Sequence, residues 1–179
     1  MGSDWRKLAG AVVIVTALAS CTSVSASPGP LGGPGDPGQV CTPLRLGAVL
    51  SYGFTAFRNS GDSTVMIDKA ELTDPRGLRV IAAYVVPGTA RFAYGVESGF
   101  PPERPLPPGV DWSARQNASG AQVPPMTKSQ QDSLLLVVRA TAHRGSAKGV
   151  SLWYHTSHQQ FFLQTNTRLL TVDRPSCAH

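Results

Sequence analysis

Hydrophobic and polar residues alternate along much of the chain beyond residue 40, and this alternation predicts β-strands. In the segment LSYGFTAF, apolar residues from Leu50 to Ala56 fall at every second position, and small or polar residues fall between them. A period of two residues is typical of a strand with one buried face. We therefore predict a half-buried strand here. A hairpin turn is predicted at Arg58–Ser63, where Asn and Gly tolerate positive φ.

The same patterns continue towards the C-terminus. The apolar run Ser133–Ala142 predicts a central strand that is buried on both faces. Within TVMIDKAELT the apolar positions change phase across Asp68-Lys69, which predicts a β-bulge. Further strands are predicted at Leu78–Val86, around Arg91–Val96, at Val150–Tyr154 and, as one or two strands, within Gln160–Val172.

These elements predict an all-β fold, because no window longer than ten residues in this part of the chain has a convincing helical period. About seven short strands separated by turns are typical of an antiparallel β-sandwich. The segment Leu46–Val172 resembles the immunoglobulin-like sandwich domains of exported bacterial proteins, especially lipoproteins of high-GC Gram-positive bacteria. The resemblance rests on the strand pattern, since the antibody arrangement of two facing cysteines around a core Trp is absent.

The first twenty residues have the pattern of an export signal. Arg6 and Lys7 precede the uncharged apolar run Leu8–Leu18. That run is too short for a transmembrane helix, which needs ~20 apolar residues. A basic start followed by a short apolar run and small residues is typical of a secretory signal peptide. We therefore expect residues 1–20 to direct export and to be removed.

Cys21 follows this apolar run directly, at the end of the sequence LASC. This sequence resembles the lipobox of bacterial lipoproteins, in which the cysteine receives a diacylglycerol and the chain is cut just before it. The resemblance implies a lipid anchor at Cys21 and an extracytoplasmic protein attached to the cell membrane. Cleavage by ordinary signal peptidase after Ala19 or Ala26 is the alternative, and it would release a soluble secreted domain.

The remaining chain divides into a tether and a folded domain. Residues 21–40 consist mostly of Ser, Pro and Gly, so we expect a flexible tether. Residues 41–179 suit a single sandwich domain. With Cys21 acylated, Cys41 and Cys177 are left to form a disulfide that ties the two ends of the domain together. Two free thiols are the alternative, but they are uncommon in exported proteins.

The net charge and the spacing of the basic residues indicate which classes of partner to expect. The formal net charge is +5 at pH 7, and the basic residues occur singly along the chain. Nucleic-acid binders concentrate basic residues in a stripe with stacking aromatics, so nucleic acid is not expected as a partner. The expected partners are the membrane, through Cys21, and a protein or polymer of the cell envelope. The scattered residues include Arg45, Arg58, Lys69, Arg76 and Arg91.

A binding surface is the function that the remaining motifs favour. The Pro-rich stretch Ser98–Lys128 is too long for an ordinary turn and contains Trp112 and Arg115, which form a candidate contact patch. A crossover between strands, held down by its aromatic residues, is the simpler interpretation of the same stretch. Trp153 on a later predicted strand is a further candidate for the binding surface.

Catalytic and metal-binding motifs do not support an enzyme. The chain contains no G-x-S-x-G, S-x-x-K with K-T-G, or H-E-x-x-H motif. His155 and His158 in HTSH would need a third ligand to bind a metal, and only His143 is a weak candidate. We expect exposed histidines, no cofactor and no catalytic activity. An enzyme or metal carrier built from distant residues remains the alternative.

Overall fold

The computed structural model describes residues 29–32, 37–88, 95–102, 109–126 and 131–177, with Phe54 described as backbone only. These ranges contain thirteen strands and no helix, which confirms the predicted all-β fold. The strands are β1 (Leu31–Gly32), β2 (Gly38–Pro43), β3 (Val49–Asn59), β4 (Val65–Thr73), β5 (Leu78–Gly88), β6 (Gly95–Ser98), β7 (Gln116–Asn117), β8 (Gln122–Val123), β9 (Gln131–Ala140), β10 (Arg144–Ala147), β11 (Gly149–His155), β12 (Gln160–Gln164) and β13 (Thr167–Val172).

The first sheet has the strand order β1-β3-β9-β5-β7, and all its neighbours pair antiparallel. The short strands β1 and β6 share one edge, because each pairs with a different half of β3. At the centre lies β9, in which every residue from Asp132 to Val138 is buried. The predicted central strand at Ser133–Ala142 is thus confirmed, although it ends at Ala140.

The second layer consists of two small sheets that continue one another. Their strand orders are β12-β11-β4-β8 and β10-β13-β2. Lys148 alone separates β10 from β11, and a backbone hydrogen bond of 2.9 Å from Thr165 N to Val150 O spans the break beside it. Gly149 is required at this break, because a Cβ there would lie 2.0 Å from the carbonyl oxygen of Thr165. The strand β2 pairs with β13 in parallel, and the other pairs of this layer are antiparallel.

The strand order identifies an immunoglobulin-like sandwich. The sequence β1-β3-β9-β5 corresponds to strands A-B-E-D of a constant-type immunoglobulin domain, and β12-β11-β4 corresponds to G-F-C. The predicted fold class, an antiparallel immunoglobulin-like sandwich built on about seven strands, is therefore confirmed. Apolar side chains from both layers fill the space between them. The largest fully buried ones include Leu50, Tyr52, Phe57, Ile67, Leu136, Leu152, Tyr154 and Leu169.

The folded body begins before the predicted boundary at Cys41. Leu31 on β1 is only 3 % exposed and packs in the core, and its backbone pairs with Asn59 at the end of β3. Gly29 lies so close to the neighbouring strands that a Cβ would be 2.1 Å from the Tyr154 hydroxyl. The prediction of a tether through residue 40 is thus wrong for residues 29–32 and 37–40. The side chain of Leu31 and the pairing of β1 with β3 hold residues 29–32, and the pairing of β2 with β13 holds residues 38–40.

The predicted hairpin at Arg58–Ser63 is also wrong. The segment Arg58–Ser63 connects β3 in the first sheet to β4 in the second layer, so the two strands do not pair. The buried side chain of Asn59 holds this connection by donating hydrogen bonds to the carbonyl oxygens of Ser63, at 2.8 Å, and Val123, at 2.9 Å. Its own carbonyl oxygen accepts a bond of 2.9 Å from the Gly61 amide. The Asn and Gly that indicated a hairpin turn therefore serve a connection between layers.

Candidate functional site

The predicted disulfide between Cys41 and Cys177 is confirmed. The two Cα atoms are 6.0 Å apart and the residues are separated by 136 positions in the sequence. The bond joins β2 to the segment that follows β13, and so closes almost the whole body into one loop. Cys21 and the predicted signal peptide lie outside the described residues. In the part of the chain that the structure does describe, no helix is long and apolar enough to span a membrane.

Trp112 and Arg115 do come together, on the outer face of the first sheet. The Arg115 guanidinium carbon lies 4.8 Å from the Trp112 ring centroid, and Arg115 donates a bond of 3.0 Å to the Trp112 carbonyl oxygen. The Trp112 ring packs on Phe100 at 5.9 Å between centroids, and Phe100 stacks on Tyr84 of β5 at 5.3 Å. Beneath these rings lie Val86 and Leu135, both buried.

The chain between β5 and β8 covers the first sheet as a crossover. It leaves β5, pairs as β6 with β3 at the opposite edge, and returns to pair as β7 with β5. The β8 strand then pairs with β4 in the second layer. The simpler interpretation of Ser98–Lys128 is therefore the one that the described parts support. Residues 103–108 of this stretch, which include the sequence PLPP, and residues 127–128 at its end lie outside the described residues.

A second aromatic group lies on the opposite side of the sandwich. Trp153 on β11 is opposite Phe162 on β12 and Lys69 on β4. The two ring centroids are 5.0 Å apart, and Lys69 Nζ lies 5.0 Å from the Trp153 centroid. Phe162 is 38 % exposed, and Met66 is exposed on the neighbouring strand. We refer to Trp153, Phe162, Lys69, Met66 and His155 as the aromatic face.

The β-bulge predicted at Asp68-Lys69 is confirmed and adds a hydrogen-bonded Asp–His pair to the aromatic face. The register between β11 and β4 shifts between Trp153 and Tyr154, which leaves Asp68 as the extra residue. A bulge re-aims the side chain that it carries. Here Asp68 Oδ1 accepts a hydrogen bond of 2.7 Å from Nδ1 of His155. The aromatic face therefore has exposed aromatic rings and a methionine, residue types that are enriched at the centre of protein contacts, with charged groups of the kind found at the rim beside them.

The histidines do not converge. His155 is held by Asp68 on the aromatic face, whereas His143 lies beyond the end of β9 and contacts Asp173, with 2.8 Å between Nδ1 and Oδ2. That contact is the main reason that the pKa of Asp173 lies below its ordinary value. Among the described residues no three His, Cys, Asp or Glu side chains are grouped to hold a metal ion. His179 lies outside the described residues.

The fold brings together four arginines that lie far apart in the sequence or stand singly there. Arg76, Arg144, Arg168 and Arg174 surround two adjoining depressions on the outer face of the β10-β13-β2 sheet. The interpretation of isolated basic residues is thus wrong for Arg76. Arg144 and Arg168 lie on outward positions of paired strands, so the signal existed, but it needed the register between β10 and β13.

Comparison with protein-family models and with curated proteins finds no match. A solved structure similar to this chain is the ASH / PapD-like domain of human CEP192, PapD-like domain 7, at 12% sequence identity and a TM-score of 0.35. The alignment covers 93% of this chain and 99% of that one. The fold assignment rests on the strand order of the two layers and takes nothing from this likeness.

Proposed function

We propose that the protein is an exported lipoprotein, anchored to the outer side of the cell membrane through Cys21, whose sandwich is a non-catalytic binding module. The observation that carries this proposal is the Cys41–Cys177 disulfide. Disulfides persist in oxidising compartments outside the cytoplasm, so the bond supports export. It also accounts for two of the three cysteines, and the third is the one that ends the lipobox-like sequence LASC.

The aromatic face is the binding surface that we assign to this module. Trp153 and Phe162 present exposed ring surface, and Lys69 and the Asp68–His155 pair present charge beside it. A flat group of this kind suits a protein partner better than a small molecule, which prefers a concave pocket. Trp112 and Arg115 do not belong to this surface, because Trp112 packs over Val86 on the other side of the sandwich and Arg115 lies against the Trp112 ring.

Anchoring is tested by comparing the wild-type chain with Cys21→Ala in its native cell. The wild type should sediment with membranes, and its mature form should begin at Cys21 and carry acyl chains. One acyl chain gives only marginal binding and two give stable anchoring. The Cys21→Ala chain should remain as precursor or be released after cleavage at Ala19 or Ala26. Intact-mass measurement of an unlipidated wild-type form starting at Ser20 or Ser27 would replace the anchored lipoprotein with a secreted domain.

Cys41→Ala provides the control for anchoring, because it breaks the disulfide without touching the lipobox-like sequence. This variant should be less stable but should still carry acyl chains. If it loses the acyl chains as completely as Cys21→Ala, the loss reflects misfolding or failed export. In that case, the mass of the lipidated wild type is the evidence that decides whether Cys21 is acylated.

The aromatic face is tested with a photoreactive amino acid placed at one of two matched positions in living cells. Phe162 and Ile81 are each 38 % exposed, but they lie on opposite layers of the sandwich. A probe at Phe162 should give a discrete cross-linked product that is lost when Trp153→Ala is added. A probe at Ile81 should give no such product. Equal cross-linking at the two positions would exclude the aromatic face as the specific contact surface.

A further inference from the structure

The strongest feature outside the aromatic face is the group of four arginines on the β10-β13-β2 sheet, which we call the arginine groove. Arg76, Arg144 and Arg174 border one depression of about 500 Å³. Arg76 and Arg168 border a second of about 590 Å³, and the two depressions share Arg76 and Ser146. All four arginine side chains are exposed.

The positive charge of the groove is only partly offset by the described part of the chain, since Asp74 lines the second depression and its pKa is lowered by Lys148 and, to a smaller extent, by Arg76. None of its four arginines forms a salt bridge or donates a side-chain hydrogen bond to a described residue. The two carboxylates nearby are held by other groups. Asp74 is held by Lys148, with 2.7 Å between Oδ2 and Nζ, and Asp173 is held by His143.

The chemistry of the lining favours phosphate groups. An arginine guanidinium is a planar fork that binds phosphate or carboxylate with two parallel hydrogen bonds. Between the arginines, the first depression is lined by apolar and polar residues that include Leu170, Val172, Thr171, Gln39 and the Cys41–Cys177 disulfide, and the second is lined by the Asp74–Lys148 pair. No aromatic ring lines either depression in the described structure. Stacking of bases, which strengthens the binding of single-stranded nucleic acid, therefore has no platform here.

The spacing of the arginines indicates an extended ligand. Arg144 on β10 is paired with Val172 on β13, and Arg168 lies on β13 four residues before Val172. At the rise of a β-strand this separation is about 13 Å between Cα atoms, so the arginines are spread out along the groove. A chain that carries several phosphates can satisfy all the arginines together, whereas one phosphate ion can satisfy only a part of the groove.

The groove and the described N-terminal segment lie at opposite ends of the domain. The described chain enters the body at Gly29, beside the last residues of β3, whereas Arg76, Arg144 and Arg174 lie level with the first residues of that strand. The strand β3 has eleven residues, so the two ends lie about 30 Å apart. With the anchor at Cys21, which belongs to the proposed function, the groove lies on the end of the domain opposite the point where the anchored chain enters it.

We propose that the arginine groove binds a phosphate-bearing polymer of the cell envelope. The four arginines contact successive phosphate groups, and the residues that line the groove between them accommodate the intervening units of the polymer. The groove thus gives the domain a second binding surface, separate from the aromatic face. Binding depends on salt concentration, because the polymer releases counterions when its phosphates pair with arginines.

The test uses the full chain with Cys21→Ala, so that its result does not depend on acylation or on anchoring. Inorganic polyphosphate is titrated into the protein by calorimetry at several salt concentrations. Arg144→Gln combined with Arg168→Gln should weaken binding at least about tenfold and lower the salt slope by about two. The control, Arg58→Gln combined with Arg79→Gln, removes the same charge from exposed positions outside the groove and should change the affinity less than about twofold.

Three outcomes would overturn the proposal. Equal losses in the two double variants would mean that polyphosphate senses only net charge. Inorganic phosphate that binds the groove as tightly as polyphosphate would make it a site for a single anion. Groove-dependent binding to vesicles of phosphatidylglycerol and phosphatidylcholine that exceeds binding to polyphosphate would make the membrane surface the ligand.

Discussion

The hydroxyl group of Tyr52 on β3 donates a hydrogen bond to the carbonyl oxygen of Thr167 on β13, at a distance of 3.1 Å. This bond crosses the core and joins the two layers of the sandwich. Tyr52 is only 1 % exposed, and burial raises its pKa to about 12, because the phenolate would be poorly solvated there. The two layers are therefore held together in part by a group that has to stay protonated.

The first prediction concerns stability at alkaline pH. Because the folded-state pKa of Tyr52 lies above its ordinary value of 10.0, its contribution to stability is complete below pH 10 and is lost as the pH rises towards 12. We expect a loss of about 2–3 kcal/mol by pH 12, measured by urea unfolding at several pH values. Burial raises the pKa of Tyr154 as well, so it contributes with the same sign.

Tyr52→Phe separates these contributions. It removes the bond to Thr167 and should lower stability at neutral pH by about 1 kcal/mol. It should also make the alkaline loss smaller than in the wild type, leaving the part that Tyr154 supplies. An alkaline loss identical to that of the wild type would show that Tyr52 is not the titrating group.

The second prediction concerns the disulfide. Cys41→Ser combined with Cys177→Ser should lower the free energy of unfolding by about 4–5 kcal/mol, because the bond restricts a very long loop in the unfolded chain. Circular dichroism should still show a β-rich fold, and reduced wild type should match the double variant in urea. A loss below about 1 kcal/mol would mean that the unfolded chain is already compact.

The third prediction concerns residues 29–32, which dock on the body through Leu31 and which we call the N-terminal arm. Leu31→Ala should cost about 2–3 kcal/mol, less than many core truncations, because the arm can undock without opening the sandwich. Gly29→Val should undock it too, since a side chain there meets the Tyr154 hydroxyl. Hydrogen exchange at the Ser60 amide reports the event, because that amide donates to the Pro30 carbonyl oxygen at 2.8 Å. Unchanged protection of Ser60 in both variants would contradict the docking.

The fourth prediction separates the two tryptophans. Trp112→Ala should destabilise the protein by about 2–4 kcal/mol, because it uncovers Val86 and Leu135 on the first sheet. Trp153→Ala should cost about 1 kcal/mol or less, since Trp153 lies on an outer face beside the exposed Phe162. Urea unfolding of the two variants measures the difference. Equal costs would mean that Trp153 also belongs to the structural framework.

Local features of the fold were predictable because they depend on neighbouring residues. The bulge at Asp68-Lys69 changes the phase of the apolar pattern within one strand, and the buried run that starts at Ser133 leaves no polar face. The Arg58–Ser63 connection was not predictable in the same way. Asn and Gly suit a hairpin and a connection between sheets equally well, and the buried bonds of Asn59 decide between them only in the folded protein.

The candidate sites depended on information that no local pattern contains. Trp112 lies in a Pro-rich stretch and Trp153 on a predicted strand, so their sequence neighbourhoods do distinguish a crossover from a sheet. They do not show that the Trp112 ring packs down on Val86 and Leu135, or that Trp153 lies beside the exposed Phe162. Arg144 and Arg168 are likewise far apart in sequence and become neighbours through the antiparallel pairing of β10 with β13.

The parallel pairing of β2 with β13, locked by the disulfide, determines how the domain responds to mechanical force at its N-terminal end. Pulling there detaches the two-residue strand β1 first and releases at most about 40 Å of chain up to Cys41. Further extension stops, because β2 cannot leave the body without dragging Cys177 and the C-terminal segment with it. The chain up to Cys41 can thus extend while the body behind the disulfide stays folded, and the two proposed binding surfaces keep their shape while the domain is under tension.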